Sequence, residues 1–583
     1  MTVSFAWRKT RFTTDSYCTH AVTRRVSESI SHYRAELICG LLLVVMGLNF
    51  LSVLPRKNLT LDETIHIPAG FYNLHGNLGI NIEHPPLVKM LSALPLLFTH
   101  TQAPAVDPQR EYSDYQVAQN FWRANDAHYE ALTFWPRVPM IAIALLLGAL
   151  IFFCARRLFG ARAAVLAVAL YALEPTVLAH GRVVQTDIPS ALAYLLLSFA
   201  LYSYLQTPNF RHALYVGLSA GLALSTKFSM VALAPLASLP LLGLFIFAPR
   251  LEQKRGLVAA QLATATVALI MVVNAGYFFH HPAQRYTLSL YDNGSSAVTH
   301  QPVRELATKA FTALQDIIPA DFIHGMTRVL ILNQGRSTAG LLGMYSKEGW
   351  WYYFPIAFAL KTAIPFLLLS VLSTLWALWI LFRKRDERVL VLLVPMFSYA
   401  ALAMMASTNI GIRHLLPVYP FLFILGGAFL DHLLSYRKQR VLMAGILAVV
   451  LGWMGIEAIR AYPDYVTYMN EFASRAPHWY YLSDSNVEWG DDVKGLAAYL
   501  HERGEDTVSE AIWGFEILEK YGIRKADAPS NPAEAMTRYV AVGASFLNGS
   551  VNPSRNPNDY AAYRELKPEK IIGGSIYVYR IRQ

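Results

Sequence analysis

Apolar runs, all but one of them long enough to cross a bilayer, recur along this chain and are separated by connections rich in Lys and Arg. A spanning helix needs about 20 apolar residues, with about 17 to 25 tolerated, because the rise per residue is small against the thickness of the hydrocarbon. By that measure eleven spans are predicted, at 37–54, 138–154, 163–179, 188–204, 213–226, 230–248, 256–279, 362–382, 389–406, 415–434 and 441–459. The fifth is the shortest. Of the 583 residues, 54% are hydrophobic and 15% charged, which excludes one soluble domain and indicates an α-helical polytopic membrane protein. The three cysteines, Cys18, Cys39 and Cys154, give neither a disulfide framework nor a Cys-x-x-Cys metal spacing. A formal charge of +10 does not point to nucleic acid, because the basic residues punctuate the chain rather than cluster on one face.

Those basic clusters set the orientation, since Lys and Arg beside a span stay on the cytoplasmic side. Arg24, Arg25 and Arg34 precede the first span; Arg156 with Arg157, Arg211, Lys254 with Arg255, Arg383 with Arg385, and Lys438 with Arg440 fall at alternate connections. Deleting the short fifth span would put every later cluster on the wrong side. The reading is therefore a cytoplasmic tail over 1–36, an uncleaved signal anchor, a transmembrane module over 37–461 with outer loops at 55–131 and 280–361, and an extracytoplasmic soluble domain over 462–583. In that last domain a helix is expected over 491–503 and strands over 508–513, 539–543 and 576–581, a small α/β unit.

The chemistry-bearing residues collect on the predicted outer face. Asp62 and Glu63 follow the first span, and His84-Pro85-Pro86-Leu87 stands ahead of a run over 85–98 that is too short to cross and reads as an interfacial helix opened by Pro-Pro. Arg182 and Asp187 lie between spans three and four, Lys227 between five and six, and Arg413 with His414 between nine and ten. Lys361 either lies within the membrane or ends an interfacial segment over 350–360 that opens on an aromatic belt. Acids beside cations at one membrane surface suit an anionic lipid headgroup held next to a general base, because Arg grips a phosphate through two donors and Lys adds a point charge. Each residue also has a plain explanation. A lone Lys or Arg at a span end snorkels; Asp187, or Asp62 ahead of a helix over 65–74, can be an N-cap; His84 can be a helix-start polar residue. None of these explains why basic residues stand outside at all.

The soluble domain opens on Ser483-Asp-Ser-Asn-Val-Glu-Trp-Gly-Asp-Asp492. Four acids and a Trp fit sugar recognition, cation binding, or a polar loop that caps the next helix. The sequons at Asn58, Asn293 and Asn548 matter only in a glycosylating host. No internal repeat is evident.

Asp62-Glu63, His84-Pro-Pro-Leu, Arg182 to Asp187, Lys227 and Arg413-His414-Leu-Leu-Pro, in this order and on one side, resemble the GT-C class of membrane glycosyltransferases. The likeness is to the superfamily of protein O-mannosyltransferases and bacterial aminoarabinose transferases, and the tail motif resembles a segment of uncharacterised bacterial members. The resemblance implies a GT-C-like transmembrane module, and a glycosyltransferase that moves a hexosyl or pentosyl unit from a polyprenyl-phosphate donor to an acceptor hydroxyl on a lipid, glycan or protein. It places the chain in a bacterial inner membrane, N-terminus cytoplasmic and C-terminus extracytoplasmic. It implies Asp62 as base, Glu63 as support or alternative base, Arg413, Lys227 and Lys361 as phosphate ligands, and Asp187 as orienting the acceptor or a cation. No cofactor is required, and a divalent cation stays open. The β-trefoil insertion of the eukaryotic mannosyltransferases is not visible, which puts a protein acceptor in doubt. Two rivals remain. One is a ligase or polymerase using a polyprenyl-pyrophosphate carrier; the other is a transporter, which would favour midplane charges and related halves.

Overall fold

The computed structural model describes residues 33–106, 113–233, 241, 254–281, 286, 301–332, 338–514, 518–551 and 556–581. Most of the expected sixth span, the expected cytoplasmic tail up to residue 32, the sequon at Asn293 and part of the expected 280–361 loop lie outside them.

Within the described residues, eight helical stretches are long and apolar enough to cross a membrane: Arg34–Arg56, Asp126–Phe159, Asp187–Gln206, Arg255–Gly276, Ile364–Lys384, Glu387–Met405, Ile412–Leu434 and Arg440–Ala461. The protein is an integral membrane protein built from helices. Expected spans three and five are shorter, at Ala161–Leu173 and Phe210–Thr226. The third ends early for a local reason. Glu174 leaves helical geometry at ψ 117°, as a residue before proline must, and Pro175 opens a separate six-residue helix, Pro175–His180.

The bundle packs through small residues and rings. A Cβ on Gly427 would stand 2.5 Å from the Ala163 carbonyl oxygen, so the helices Ala161–Leu173 and Tyr419–Leu434 approach at glycine. Phe366 stacks on Phe423 at 4.7 Å between centroids, and Tyr171 donates to the Ala144 carbonyl at 2.7 Å. Along Arg440–Ala461, Val441 and Ile459 are exposed, as suits a lipid-facing surface.

After the first span the chain builds a small cap with its own core of Ile67, Phe71, Val88, Phe121 and Leu132. Its main helix is Leu61–Leu74. Thr60, not Asp62, caps it: the Glu63 amide donates to the Thr60 hydroxyl, and Glu63 Oε2 accepts from the Thr60 amide at 2.9 Å. The helix Pro86–Ala93 lies against it where Gly70 offers no side chain to obstruct the Lys89 carbonyl. The aromatic stretch after Gly349 resolves as a short helix, Tyr353–Lys361, before the span Ile364–Lys384.

The C-terminal region contains a five-stranded mixed sheet in the order β4-β3-β5-β7-β6, where β3 is Thr507–Ala511, β4 Arg524–Asp527, β5 Tyr539–Gly543, β6 Lys570–Ile572 and β7 Ile576–Arg580. A two-stranded hairpin of β1, Ala339–Leu341, and β2, Met344–Ser346, precedes it in the chain. The helix Val493–His501 packs on the sheet through Val493, Leu496 and Leu500. Strands β4 and β6 were not expected. They are the sheet edges, and β4 reads Arg-Lys-Ala-Asp and is wholly exposed, which is how edge strands avoid further pairing and also how they lose the alternation that marks a strand.

Candidate active site

The first turn of Leu61–Leu74 points two neighbouring acids to different fates. Glu63 is fully buried and saturated. Arg137 Nε donates to its Oε1 at 2.7 Å and Nη2 to its Oε2 at 2.6 Å, while the Val184 amide donates to Oε1 at 3.0 Å. Burial alone would raise this carboxyl, but Arg137 and the backbone donors hold it below the usual carboxylate range. Glu63 thus supports the site by tying three chain segments together, with no oxygen left for a substrate proton.

Asp62 faces the other way, with a side chain 22% exposed. Arg413 Nη1 forms an ion pair with its Oδ2, and the Trp489 indole N–H donates to Oδ1 at 3.4 Å. The Arg413 guanidinium lies 4.5 Å from the centroid of the Trp489 ring. Desolvation works to raise the Asp62 carboxyl, yet Arg413 and then His66 bring it below its ordinary value. Asp62 is therefore an ionised, reachable carboxylate, the state a general base requires.

Around this pair the structure gathers several of the expected residues. His84 sits 4.8 Å edge-on from His66, whose Nδ1 is 3.2 Å from the Val184 carbonyl oxygen. Burial, followed by His66, Lys89, Lys227 and Arg413, drives His84 well below the usual imidazole range, so it is neutral and can both give and accept a hydrogen bond. Lys227 is paired with Asp187, and His414 is in electrostatic contact with Lys227, Arg413, Asp62 and His84. Asp62, His84, Asp187, Lys227, Arg413 and His414 form one constellation, drawn from four separate connections.

Two of the expected substrate-binding cations, Arg182 and the phosphate candidate Lys361, turn elsewhere. Arg182, fully buried, donates from Nη2 to Asp491 Oδ2 at 3.3 Å and faces Arg137 rather than Asp62. Lys361 donates to the carbonyls of Val466 and Asn486 at 2.7 and 2.8 Å, and burial lowers its ammonium to about 7. The backbone of the C-terminal region takes up two of its three protons. Sequence reasoning also missed Arg137, Lys57, His66 and the reach of Trp489. The one local signal was Arg137 itself, a charge heading an apolar run directly after Trp135-Pro136.

Lys57 bridges Asp464 at 2.6 Å and Asp492. No group of three or more His, Cys, Asp or Glu side chains among the described residues is arranged to hold a metal ion. Four buried nitrogens lack a partner among the described residues: Arg413 Nε and His180 Nδ1 on the side of Asp62, and Arg182 Nε and Nη1 on the side of Asp491. An apolar cavity of about 330 Å³ opens between helices, walled by Phe354, Phe358, Met396, Leu415, Val418 and Leu422, and so reaches the turn that follows Arg413.

Acid and cations in one cluster, with an apolar cavity reaching the turn that follows Arg413, are parts that suit a charged amphiphile. Residues 133–278 match the family of dolichyl-phosphate-mannose-protein mannosyltransferases. That stretch holds Arg137, Arg182, Asp187 and Lys227, so the glycosyltransferase resemblance read from short motifs is met by a family match over these spans. Among solved structures, ArnT from Cupriavidus metallidurans in the apo state aligns at 16% identity and TM-score 0.40, over 83% of this chain and 73% of that one. The S. cerevisiae protein O-mannosyltransferase Pmt1-Pmt2 complex bound to the sugar donor aligns at 12% identity and TM-score 0.49, over 74% and 90%. The Archaeoglobus fulgidus oligosaccharyltransferase AglB, in complex with an inhibitory peptide and a dolichol-phosphate, aligns at 11% and TM-score 0.47, over 88% and 70%. No curated protein matches in sequence.

Proposed function

We propose that this protein moves a single sugar from a polyprenyl-phosphate donor to an acceptor hydroxyl, on the extracytoplasmic face of a bacterial inner membrane. The observation that carries this reading is the Asp62–Arg413 pair, a reachable carboxylate against a guanidinium that still has an unpartnered N–H, with the apolar cavity beginning two residues on at Leu415.

The chemistry follows from that placement. The acceptor oxygen attacks the anomeric carbon, its proton passes to Asp62, and the bond from that carbon to the phosphate oxygen breaks with both electrons leaving on the phosphate. The leaving group is already anionic and needs no proton. Arg413, preset in a site with little water, stabilises the charge that grows there, and the Lys227–Asp187 pair stands by as a second cation. Neutral His84 is suited to hold a sugar or acceptor hydroxyl, with His414 beside it. The cavity accepts the first isoprene units. The chemistry as written needs no divalent cation; one taking part would add positive charge at the phosphate.

The test uses the purified full chain in nanodiscs with labelled polyprenyl-phosphate sugars, hexosyl and pentosyl, and polyprenyl-pyrophosphate oligosaccharides as a parallel arm. Transfer or release of sugar from the monophosphate series, lost in Asp62→Asn, supports the reading. Turnover of the pyrophosphate series alone would replace it with a ligase. Flux into sealed vesicles without transfer would replace it with a transporter. Mass spectrometry of envelope glycans after gene deletion then names the sugar and the acceptor.

A further inference from the structure

Trp489 heads the fully buried large side chains of the described molecule, at 0% exposure, yet its environment is not that of a packing residue. Its N–H is aimed at Asp62 Oδ1, its ring face carries the Arg413 guanidinium, and His180 meets it edge-on at 5.5 Å. A buried indole N–H needs an acceptor even where the ring packs in the core, as this one does; here the acceptor is the carboxylate of the site and the ring face carries its guanidinium partner.

The backbone around it explains how a residue from the C-terminal region arrives there. The Leu61 amide donates to the Trp489 carbonyl at 2.8 Å, the Asn58 amide to the Asp491 carbonyl at 3.1 Å, and the Lys494 amide to Asn58 Oδ1 at 2.6 Å. These bonds bind the segment to the start of the helix that bears Asp62. On its other flank, the Ile412 amide donates to Asn486 Oδ1 at 2.9 Å and the Ser485 hydroxyl to the Ile410 carbonyl at 2.7 Å, which binds it to the turn that bears Arg413. One short segment thus grips both partners of an ion pair that are 351 residues apart in sequence.

We propose that Trp489 is a positioning residue: its indole N–H and ring face hold Asp62 and Arg413 in the relative orientation used for transfer, so that the segment 484–494 completes the active site rather than capturing the acceptor. This rests on the reading of Asp62 as base. Among the described residues the Asp62 carboxylate has two hydrogen-bond donors, Arg413 and Trp489. When a donor phosphate draws on Arg413, the indole remains to keep the carboxylate aimed, and the second lone pair of Oδ1 is left for the acceptor proton.

The test compares full-length wild type, Trp489→Phe, which keeps a ring but removes the N–H, and Trp489→Leu, which removes both. The protonation of Asp62 is followed by the infrared carboxyl band that disappears in Asp62→Asn, a readout that needs neither sugar nor acceptor. Other groups facing Asp62 are Arg413, His66, Tyr115, His180, His414 and Asp484, and all are unchanged in these variants. Trp489→Phe is expected to raise the proton affinity of Asp62 about tenfold, and to lower kcat about tenfold with its acid limb moved to higher pH, as loss of a hydrogen bond to a charged group requires. Its Kd for undecaprenyl phosphate, measured by native mass spectrometry, is expected to stay unchanged. Trp489→Leu is expected to weaken that Kd about three- to tenfold as well, through loss of the cation–π contact. An infrared titration identical to wild type in folded Trp489→Phe overturns the proposal, and this variant decides it where Trp489→Leu fails to fold. Wild type that transfers nothing from any lipid-linked sugar sinks the base reading instead, while the titration still reads what the indole does to Asp62.

Discussion

Glu63 and Arg137 are joined by two hydrogen bonds, at 2.7 and 2.6 Å, with both side chains wholly buried. The guanidinium also donates to the carbonyls of Asn58 and Lys57, at 2.5 and 3.3 Å, so the pair fixes the chain ahead of Asp62 to the start of a spanning helix. Glu63→Ala leaves a buried guanidinium without its anion, which costs about 3 to 5 kcal/mol. The expected outcome is a lower unfolding temperature and a poor yield of folded protein in detergent. Glu63→Ala that folds as wild type and loses only turnover would instead mark Glu63 as the base.

Asp62→Asn removes a proton acceptor but keeps a side chain that Arg413 and Trp489 can still approach. Turnover is expected to fall by about 10² to 10⁴, the range for loss of a positioned base, with the unfolding temperature unchanged. Initial rates with a lipid-linked sugar, together with a thermal melt, check both halves.

Arg413→Lys keeps the charge and loses the fork and the flat face that lies on Trp489. Because the proposed ligand is a phosphate, the donor KM is expected to rise more than kcat falls, by about tenfold. Lys227→Met, which strands the nearly buried Asp187, should lower stability as well as donor affinity. A donor titration under initial-rate conditions separates the two, and an unchanged KM in Arg413→Lys would remove the phosphate role.

Asp484 gives the site a pH dependence near neutrality. Burial raises its carboxyl, Arg413 and the Ser485 amide lower it, Asp62 raises it, and the net position is about 7. Arg413, Asp62, Tyr115 and Tyr353 face it. The folded value lies above the ordinary one, near 3.9. Its contribution to stability is therefore complete below that ordinary value and is lost as pH rises through about 7. Above about 7 a second negative charge beside Arg413 also opposes a phosphate. The donor KM should climb over that interval in wild type and stay flat in Asp484→Asn; parallel curves would rule Asp484 out.

Lys57 fastens the C-terminal region to the first loop through Asp492, which is 5% exposed, and through Asp464, which is 42% exposed and so adds little. Burial pulls the Lys57 ammonium down, but Asp492, Asp491 and Asp464 outweigh it and raise it. Lys57→Met strands Asp492 in the interior, and faster hydrogen exchange across 484–494 is expected, with earlier proteolytic release of the sheet.

Much of the fold was legible in the sequence because a membrane span is a bulk property of about 20 residues. The nine expected spans other than the third and sixth coincide with helices, and the third failed at Glu174-Pro175, where a two-residue signal outweighs an apolar average. The site was legible in part. Asp62 was singled out as one of two adjacent acids after a span, and Lys227, Arg413 and His414 by motif and by standing at the outer span ends; the structure brings the four together. Sidedness says nothing about direction, however, and Arg182 and Lys361 share the surface while pointing at Asp491 and at backbone carbonyls. Trp489 was read with its acidic segment as a sugar, cation or capping loop because its partners Arg413 and Asp62 lie 76 and 427 residues upstream, and no local pattern encodes a contact of that separation.

The indole that completes the site lies 427 residues downstream of Asp62, and at ribosomal rates of about 5 to 20 residues per second that interval takes roughly 20 to 90 seconds. During that interval the later helices are made one after another, Arg413 follows Asp62 by 351 residues, and the indole comes after both. A chain interrupted before the Trp489 codon therefore lacks the one segment that grips both partners of the Asp62–Arg413 pair, so the order of synthesis sets the order in which the site is assembled.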